Sequence, residues 1–133
     1  LEDWVRGFPG HVTLIIDGGE SATMANDDIL RPQAFMKPRY TVIASAKQEE
    51  HAYHEVDLGI NSVFTHFLVT GLRRPSQYVR PAADLNMDGN ITALELFKHI
   101  RKEMALYDIE NPGRDQEPHF WPGDLGDTVI YRY

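Results

Sequence analysis

From His11 to Ile16 the chain reads HVTLII, an apolar and β-branched run with Pro9-Gly10 before it and Gly18-Gly19 after it. An unbroken run of this kind between turn residues predicts a strand covered on both faces. Residues 40–46, YTVIASA, repeat the pattern and predict a second such strand. The connection between the two is far longer than a hairpin turn, so they are expected to run parallel, joined by a crossover. That crossover, Ser21 to Leu30, starts on a capping residue and continues in helix-tolerant ones until Pro32 and Pro38 break it into loop.

Further along, the spacing changes from strand to helix. After Asn61 and Ser62, which suit a helix cap, Val63, Phe64, Phe67, Leu68, Gly71 and Leu72 fall on one side at helical spacing, predicting a helix over Asn61 to Leu72 that packs on the sheet. The polar, Pro-containing stretch RRPSQYVRPAA reads as a surface connection. Ile91, Leu94, Phe97, Ile100, Met104 and Tyr107 then recur at helical steps, predicting an amphipathic helix over 92–107 that Asn111-Pro112-Gly113 terminates. A Pro- and Gly-rich loop runs to Gly126, and TVIYRY alternates as a last strand. The order strand, helix, strand, helix, helix, strand implies an α/β sandwich with a mainly parallel sheet.

Composition narrows the function classes. The chain has 133 residues, 42% of them hydrophobic, enough for one modest core, and it has no apolar stretch of the roughly 20 residues a membrane-spanning helix needs. Its start, LEDWVRGFPG, lacks the layout of a secretory signal, so a soluble, cytoplasmic protein with no membrane partner is expected; beginning at Leu1 suggests a processed chain or a segment of a longer one. A formal net charge of -7, with few and scattered basic residues, argues against nucleic acid as partner. The absence of cysteine excludes disulfides, thiolate metal sites and thiol catalysis by the chain as it stands.

The candidate metal chemistry lies in DLNMDGNITALE, residues 84–95. Asp84, Asn86 and Asp88 stand at positions 1, 3 and 5 of a twelve-residue calcium loop, Gly89 at 6, Ile91 at 8 and Glu95 at 12. Calcium asks for hard oxygen ligands around a tight turn, with Asn90 offering its carbonyl, Thr92 acting directly or through water, and Glu95 giving two oxygens from the exiting helix. The segment before the loop, with Pro75 and Pro81, is a poor entering helix, so a bound calcium would be structural rather than a sensor. The alternative reading of the same residues is an acidic turn that only caps the next helix. His51 and His54, three apart among acids, read as a solvated loop, and His66 and His99 as ordinary helix residues. No Ser-His-Asp order is defensible from spacing, since Ser21 has no base near it in sequence.

The succession of these features resembles the C-terminal half of the caspase-like cysteine peptidases, especially the bacterial caspase-like and metacaspase branch. There a buried strand ends in an Asp-Ala-Cys-His-Ser-Gly type motif, and IIDGGESA occupies that place. The next strand ends in Ala-Ser and leads through a polar segment to a Gly-x-Phe-Thr helix, similar to VIASAKQEEHAYHEVDLGINSVFTHFLVTGL. AADLNMDGNITALELFKHI matches a stretch that many bacterial members carry, and QEPHFWPGDLGDTVIYRY matches a Gln-x-Pro element and a closing Gly-Asp strand. The resemblance implies a partial domain of a three-layer α/β sandwich. It places Gly19 on the nucleophilic cysteine, Glu20 on the residue after it, Asp17 on the acid that favours Arg or Lys before the cleaved bond, and Ser45 near the second wall of that pocket. The family's catalytic histidine belongs to an upstream His-Gly motif that this chain lacks. The implied partners are therefore the N-terminal portion of the same domain and a peptide or protein substrate, with calcium as a possible cofactor. Glycine keeps the backbone N–H and the turn but supplies no nucleophile, so the chain as given is expected to be inactive. Either the cysteine was removed deliberately, or this is a natural pseudo-protease that keeps the fold for recognition; a calcium-binding interaction module is the remaining alternative.

Overall fold

The computed structural model describes residues 2–19, 21–22, 35, 37–47, 50–53, 62–113, 116–121 and 128–133. In chain order these hold a one-turn helix α1 (Glu2–Val5), strands β1 (Val12–Ile16) and β2 (Tyr40–Ala44), helix α2 (Val63–Leu72), strand β3 (Asn90–Thr92), helix α3 (Ala93–Glu110), and strands β4 (His119–Trp121) and β5 (Val129–Arg132). The fold is mixed α/β, built on two longer helices and two small sheets. In the first sheet, of order β1-β2-β4, β1 and β2 run parallel, in register from Val12 opposite Tyr40 to Ile16 opposite Ala44. β4 lies antiparallel on the other side of β2. The second sheet pairs β3 with β5, antiparallel.

β2 is the centre of the molecule because its sequence is apolar on both faces. Ile43 faces one core with Val63, Phe64, Leu96, Ile100 and Met104 from α2 and α3, while Tyr40 and Val42 face a second with Val5, Phe35 and Trp121. Each of the fully buried large side chains among them contributes on the order of 1.5–3 kcal/mol. Both helices begin where the sequence supplies a cap. The Ser62 hydroxyl accepts the Thr65 N–H at 3.0 Å. Thr92 and Glu95 form a reciprocal capping box at the start of α3.

Several expectations change. β1 is not covered on both faces: it is the edge strand of its sheet among the described residues, and Ile15 is 44% exposed. The described sheets hold one parallel and two antiparallel pairings, so parallel pairing does not dominate, and TVIYRY joins the small second sheet. β3 and β4, three residues each, fall in stretches read as loop, because three residues are too few for a period to show. The helix expected over 92–107 runs to Glu110, and its buried line is Ala93, Leu96, Ile100 and Met104, with Leu94 off its centre. Of the expected crossover, Ser21 and Ala22 form a turn; residues 23–30 lie outside the described residues, as do Glu20 and His54. Among the described residues no helix is long and apolar enough to cross a membrane.

Candidate functional site

The parallel pair sets the site. In open α/β sheets ligands bind beyond the carboxyl ends of parallel strands, and here those ends are Asp17-Gly18-Gly19 after β1 and Ser45-Ala46 after β2. Two serines tie them together. Ser45 is fully buried; its Oγ accepts the Gly18 N–H at 2.9 Å and donates to the Gly18 carbonyl at 3.1 Å. Ser21 Oγ, also buried, accepts the Ala46 N–H at 3.0 Å and lies 3.2 Å from Ser45 Oγ. Ser21 is thus committed to the turn, which leaves it poorly placed to act as a nucleophile.

Asp17 stands on the exposed rim. One of its carboxylate oxygens accepts the hydroxyls of Ser62 and Thr65, at the cap and in the first turn of α2. An acid there is favoured by the helix N-terminus as well as by the two hydroxyls. The structure therefore brings Asp17 and Ser45 to the same end of the β1–β2 pair as Gly19, with Asp17 tying the strand end to α2.

Gly19 is exposed and has room for a side chain. The nearest atoms to a Cβ built there would be the Ala52 nitrogen at 3.6 Å, the Glu50 carbonyl oxygen at 3.7 Å and His51 Cα at 3.7 Å, all ordinary contacts. Gln116, which no sequence pattern marked beyond its place in a Gln-x-Pro element, is buried beside this point. It donates to the Ser45 carbonyl at 2.7 Å and accepts the Tyr53 N–H at 3.0 Å. Next to it, Lys47 bonds Glu117, which holds the Glu117 carboxyl below its ordinary value against the opposing effect of burial.

The loop at 84–95 lies apart, between α2 and α3. Asp84 is buried; one carboxylate oxygen accepts the Met87 N–H at 2.8 Å, and the other accepts the Gly89 N–H at 3.4 Å and the Tyr133 hydroxyl. Burial pushes its pKa up, but the Tyr133 hydroxyl and the backbone N–H groups of Gly89, Met87 and Asp88 outweigh it and hold the carboxyl below its ordinary value. The same hydrogen bond raises the Tyr133 phenol. Asn86 Oδ1 accepts the Asp88 N–H at 3.0 Å, and Asp88 Oδ1 accepts the Asn90 N–H at 2.8 Å. Glu95 accepts from the Leu85 and Asn86 N–H groups with one oxygen and from the Thr92 N–H and hydroxyl with the other. Gly89 takes φ 82°, the left-handed turn conformation expected at position 6, and Ile91 at position 8 is fully buried in β3. The carboxylates are presently engaged with the loop's own donors, and among the described residues no three His, Cys, Asp or Glu side chains are gathered into a metal-holding group.

Of the remaining histidines, His51 is exposed beside position 19, whereas His99 is buried against α2 and its Nε2 has no hydrogen-bond partner among the described residues. In comparison with known proteins, no protein-family model, no curated protein and no solved structure matches the chain.

Proposed function

We propose that this chain is the C-terminal portion of a caspase-like cysteine endopeptidase domain, a three-layer α/β sandwich, whose active form cleaves after Arg or Lys. The observation that carries the reading is the geometry at position 19. It sits just past the end of a parallel strand, has space for a side chain at ordinary contact distances, and shares that end of the sheet with Asp17 and Ser45. A thiol there would be the nucleophile, its turn braced by Ser45 on the Gly18 backbone. Among the described residues only one Asp17 oxygen is engaged, by the α2 hydroxyls, so the other can meet a guanidinium or ammonium group. With glycine in place the chain does no covalent chemistry by this route, and the activating base comes from the upstream portion.

The edge of β1 that no described strand pairs supports that partner. In a parallel ladder successive residues point their backbone groups to opposite sides. The Val12 N–H bonds the Arg39 carbonyl and the Ile16 carbonyl accepts the Ser45 N–H, so the backbone groups of Thr13 and Ile15 face away from β2. Beside them a surface cavity of about 430 Å³ touches the consecutive residues His11 to Leu14, and Trp4, 74% exposed, and Phe8 form its outer wall. Lining by consecutive residues, Val12 to Leu14 of β1 with His11 just before them, rather than by alternate ones fits a cavity that runs along the strand's edge. A further strand from the upstream portion, with a covering element over Ile15, satisfies both features.

The test is to install Gly19→Cys, supply the upstream portion, and assay Arg- and Lys-containing peptides with and without calcium. Cleavage after the basic residue, lost in Asp17→Asn, is expected; no cleavage in either condition overturns the reading.

The loop at 84–95 supports a second reading, a calcium-binding module. Its donor set is hard oxygen throughout, and the Gly89 conformation and buried Ile91 are those such a loop needs. Asp84, Asn86, Asp88, the Asn90 carbonyl, Thr92 and Glu95 would hold the ion, which would act as a structural cross-link between the loop and α3. Calorimetry showing no calcium binding, or binding indifferent to Glu95→Gln, removes it.

A further inference from the structure

Position 19 has backbone as its nearest neighbours. The three nearest atoms to a Cβ there are the Ala52 nitrogen, the Glu50 carbonyl oxygen and His51 Cα, all within the short segment Glu50–Tyr53. A loop segment can serve as a wall only if something fixes it, and among the described residues several anchors do so. Tyr53 is held at both backbone groups: its N–H by Gln116 Oε1 and its carbonyl by the Val63 N–H, each at 3.0 Å. Glu50 is held by its carboxylate, which accepts the Lys47 and Glu117 N–H groups at 3.0 and 2.9 Å. Gln116 is the anchor nearest Ala52 and the only one of these side chains that is buried, at 3% exposed, and its other end is bonded to the Ser45 carbonyl at the end of β2. The Ala52 N–H itself makes no hydrogen bond among the described residues.

We propose that Gln116 is a positioning residue for the site: by locking Tyr53 to the end of β2, its buried amide holds the Ala52 N–H against position 19, where that N–H donates to a thiolate. The inference rests on the proposed thiol at position 19. The residue type follows from the task. The bridge needs one donor, for the Ser45 carbonyl, and one acceptor, for the Tyr53 N–H, and an uncharged amide supplies both without placing a charge beside the thiolate. A hydrogen bond to the charged form favours it, so the thiol titrates below its ordinary value, and the proton it loses goes to solvent or to the base of the upstream portion.

The test needs no cleavage assay. Because the chain has no cysteine, Gly19→Cys carries a single thiol, and its titration is read from the pH dependence of alkylation by iodoacetamide. The midpoint is expected below the ordinary thiol value of roughly 8.5. Gln116→Met, which keeps the volume and removes both hydrogen bonds, should move it upward by on the order of one pH unit. Ala52→Pro removes the donor directly and should do the same with Gln116 in place; if Gln116→Met does not fold, this variant decides. An ordinary midpoint in the Gly19→Cys chain, or a midpoint that Ala52→Pro leaves unmoved, overturns the proposal. If the midpoint behaves as expected while the chain supplied with its upstream portion cleaves nothing, the peptidase reading fails and the positioning role stands.

Discussion

Gly71 lies within an apolar helix, where alanine would ordinarily be the better residue by about 1 kcal/mol. The reason for glycine is on the neighbouring helix. A Cβ at 71 would come within 2.5 Å of His99 Cδ2 and 2.9 Å of Nε2, and His99, only 8% exposed, has little room to retreat. Overpacking of this kind costs about 1–3 kcal/mol, which exceeds the propensity gain. Gly71→Ala should therefore lower stability in chemical denaturation, and a more stable variant would show that the ring moves freely. The same burial lowers the His99 pKa; Lys102 adds to it, while Glu103 and the Phe67 backbone oppose it. Since the folded state disfavours the charged ring, stability is full above the ordinary histidine value of about 6.5 and falls as pH drops through the lowered folded value. Unfolding free energy measured at pH 7 and pH 5 should fall more steeply for the natural chain than for His99→Gln; equal slopes would remove His99 as the cause. The sequence put Gly71 on the buried face of its helix and His99 in the next one, but their contact was not readable there. It depends on how α2 and α3 cross, which periodicity does not encode.

At the scale of elements, the helices were readable because they are long enough to show both a period and a cap. β3 and β4 were not, because a three-residue strand exists only through its partner: Ile91 is opposite Tyr131, and Phe120 opposite Ile43. The segment at 84–95 shows how one pattern can carry two meanings. Its acids were read either as calcium ligands or as a helix cap, and the structure shows the capping arrangement in full, with Thr92 and Glu95 reciprocally bonded and Glu95 also gathering two loop N–H groups. The two roles separate by experiment. Thr92→Ala should cost about 1 kcal/mol whether or not calcium is present, as loss of a cap does. Glu95→Gln keeps the length but gives up one acceptor oxygen and the charge at the helix N-terminus, so it should also destabilise by about 1 kcal/mol in a chelator. If the loop binds calcium, the ion raises the Tm of the natural chain and leaves that of Glu95→Gln unchanged. A calcium response that survives the substitution would mean that the ion binds elsewhere.

Over the whole molecule, the sheet has a finished side and an open one. β2 is covered on both faces and paired on both edges, whereas β1 is just as apolar in sequence yet has one edge unpaired among the described residues and leaves Ile15 in solvent. Its composition suits an interior strand and its surroundings are those of an edge, a mismatch that isolated edge strands usually avoid with charges or prolines. The mismatch could not be foreseen from the run HVTLII, which describes the strand and says nothing of its neighbours. It does allow association to be separated from folding. Proline at 13 removes an N–H that points away from β2, a position where sheets tolerate it, while proline at 14 removes one that points toward β2 and breaks the ladder. Thr13→Pro should therefore leave the Tm of the isolated chain nearly unchanged and abolish its binding to the proposed upstream portion, measured by co-purification or calorimetry. Leu14→Pro should unfold the chain outright, at a cost of about 3 kcal/mol or more. If Thr13→Pro binds the proposed upstream portion as well as the unsubstituted chain does, the two portions meet somewhere other than the β1 edge.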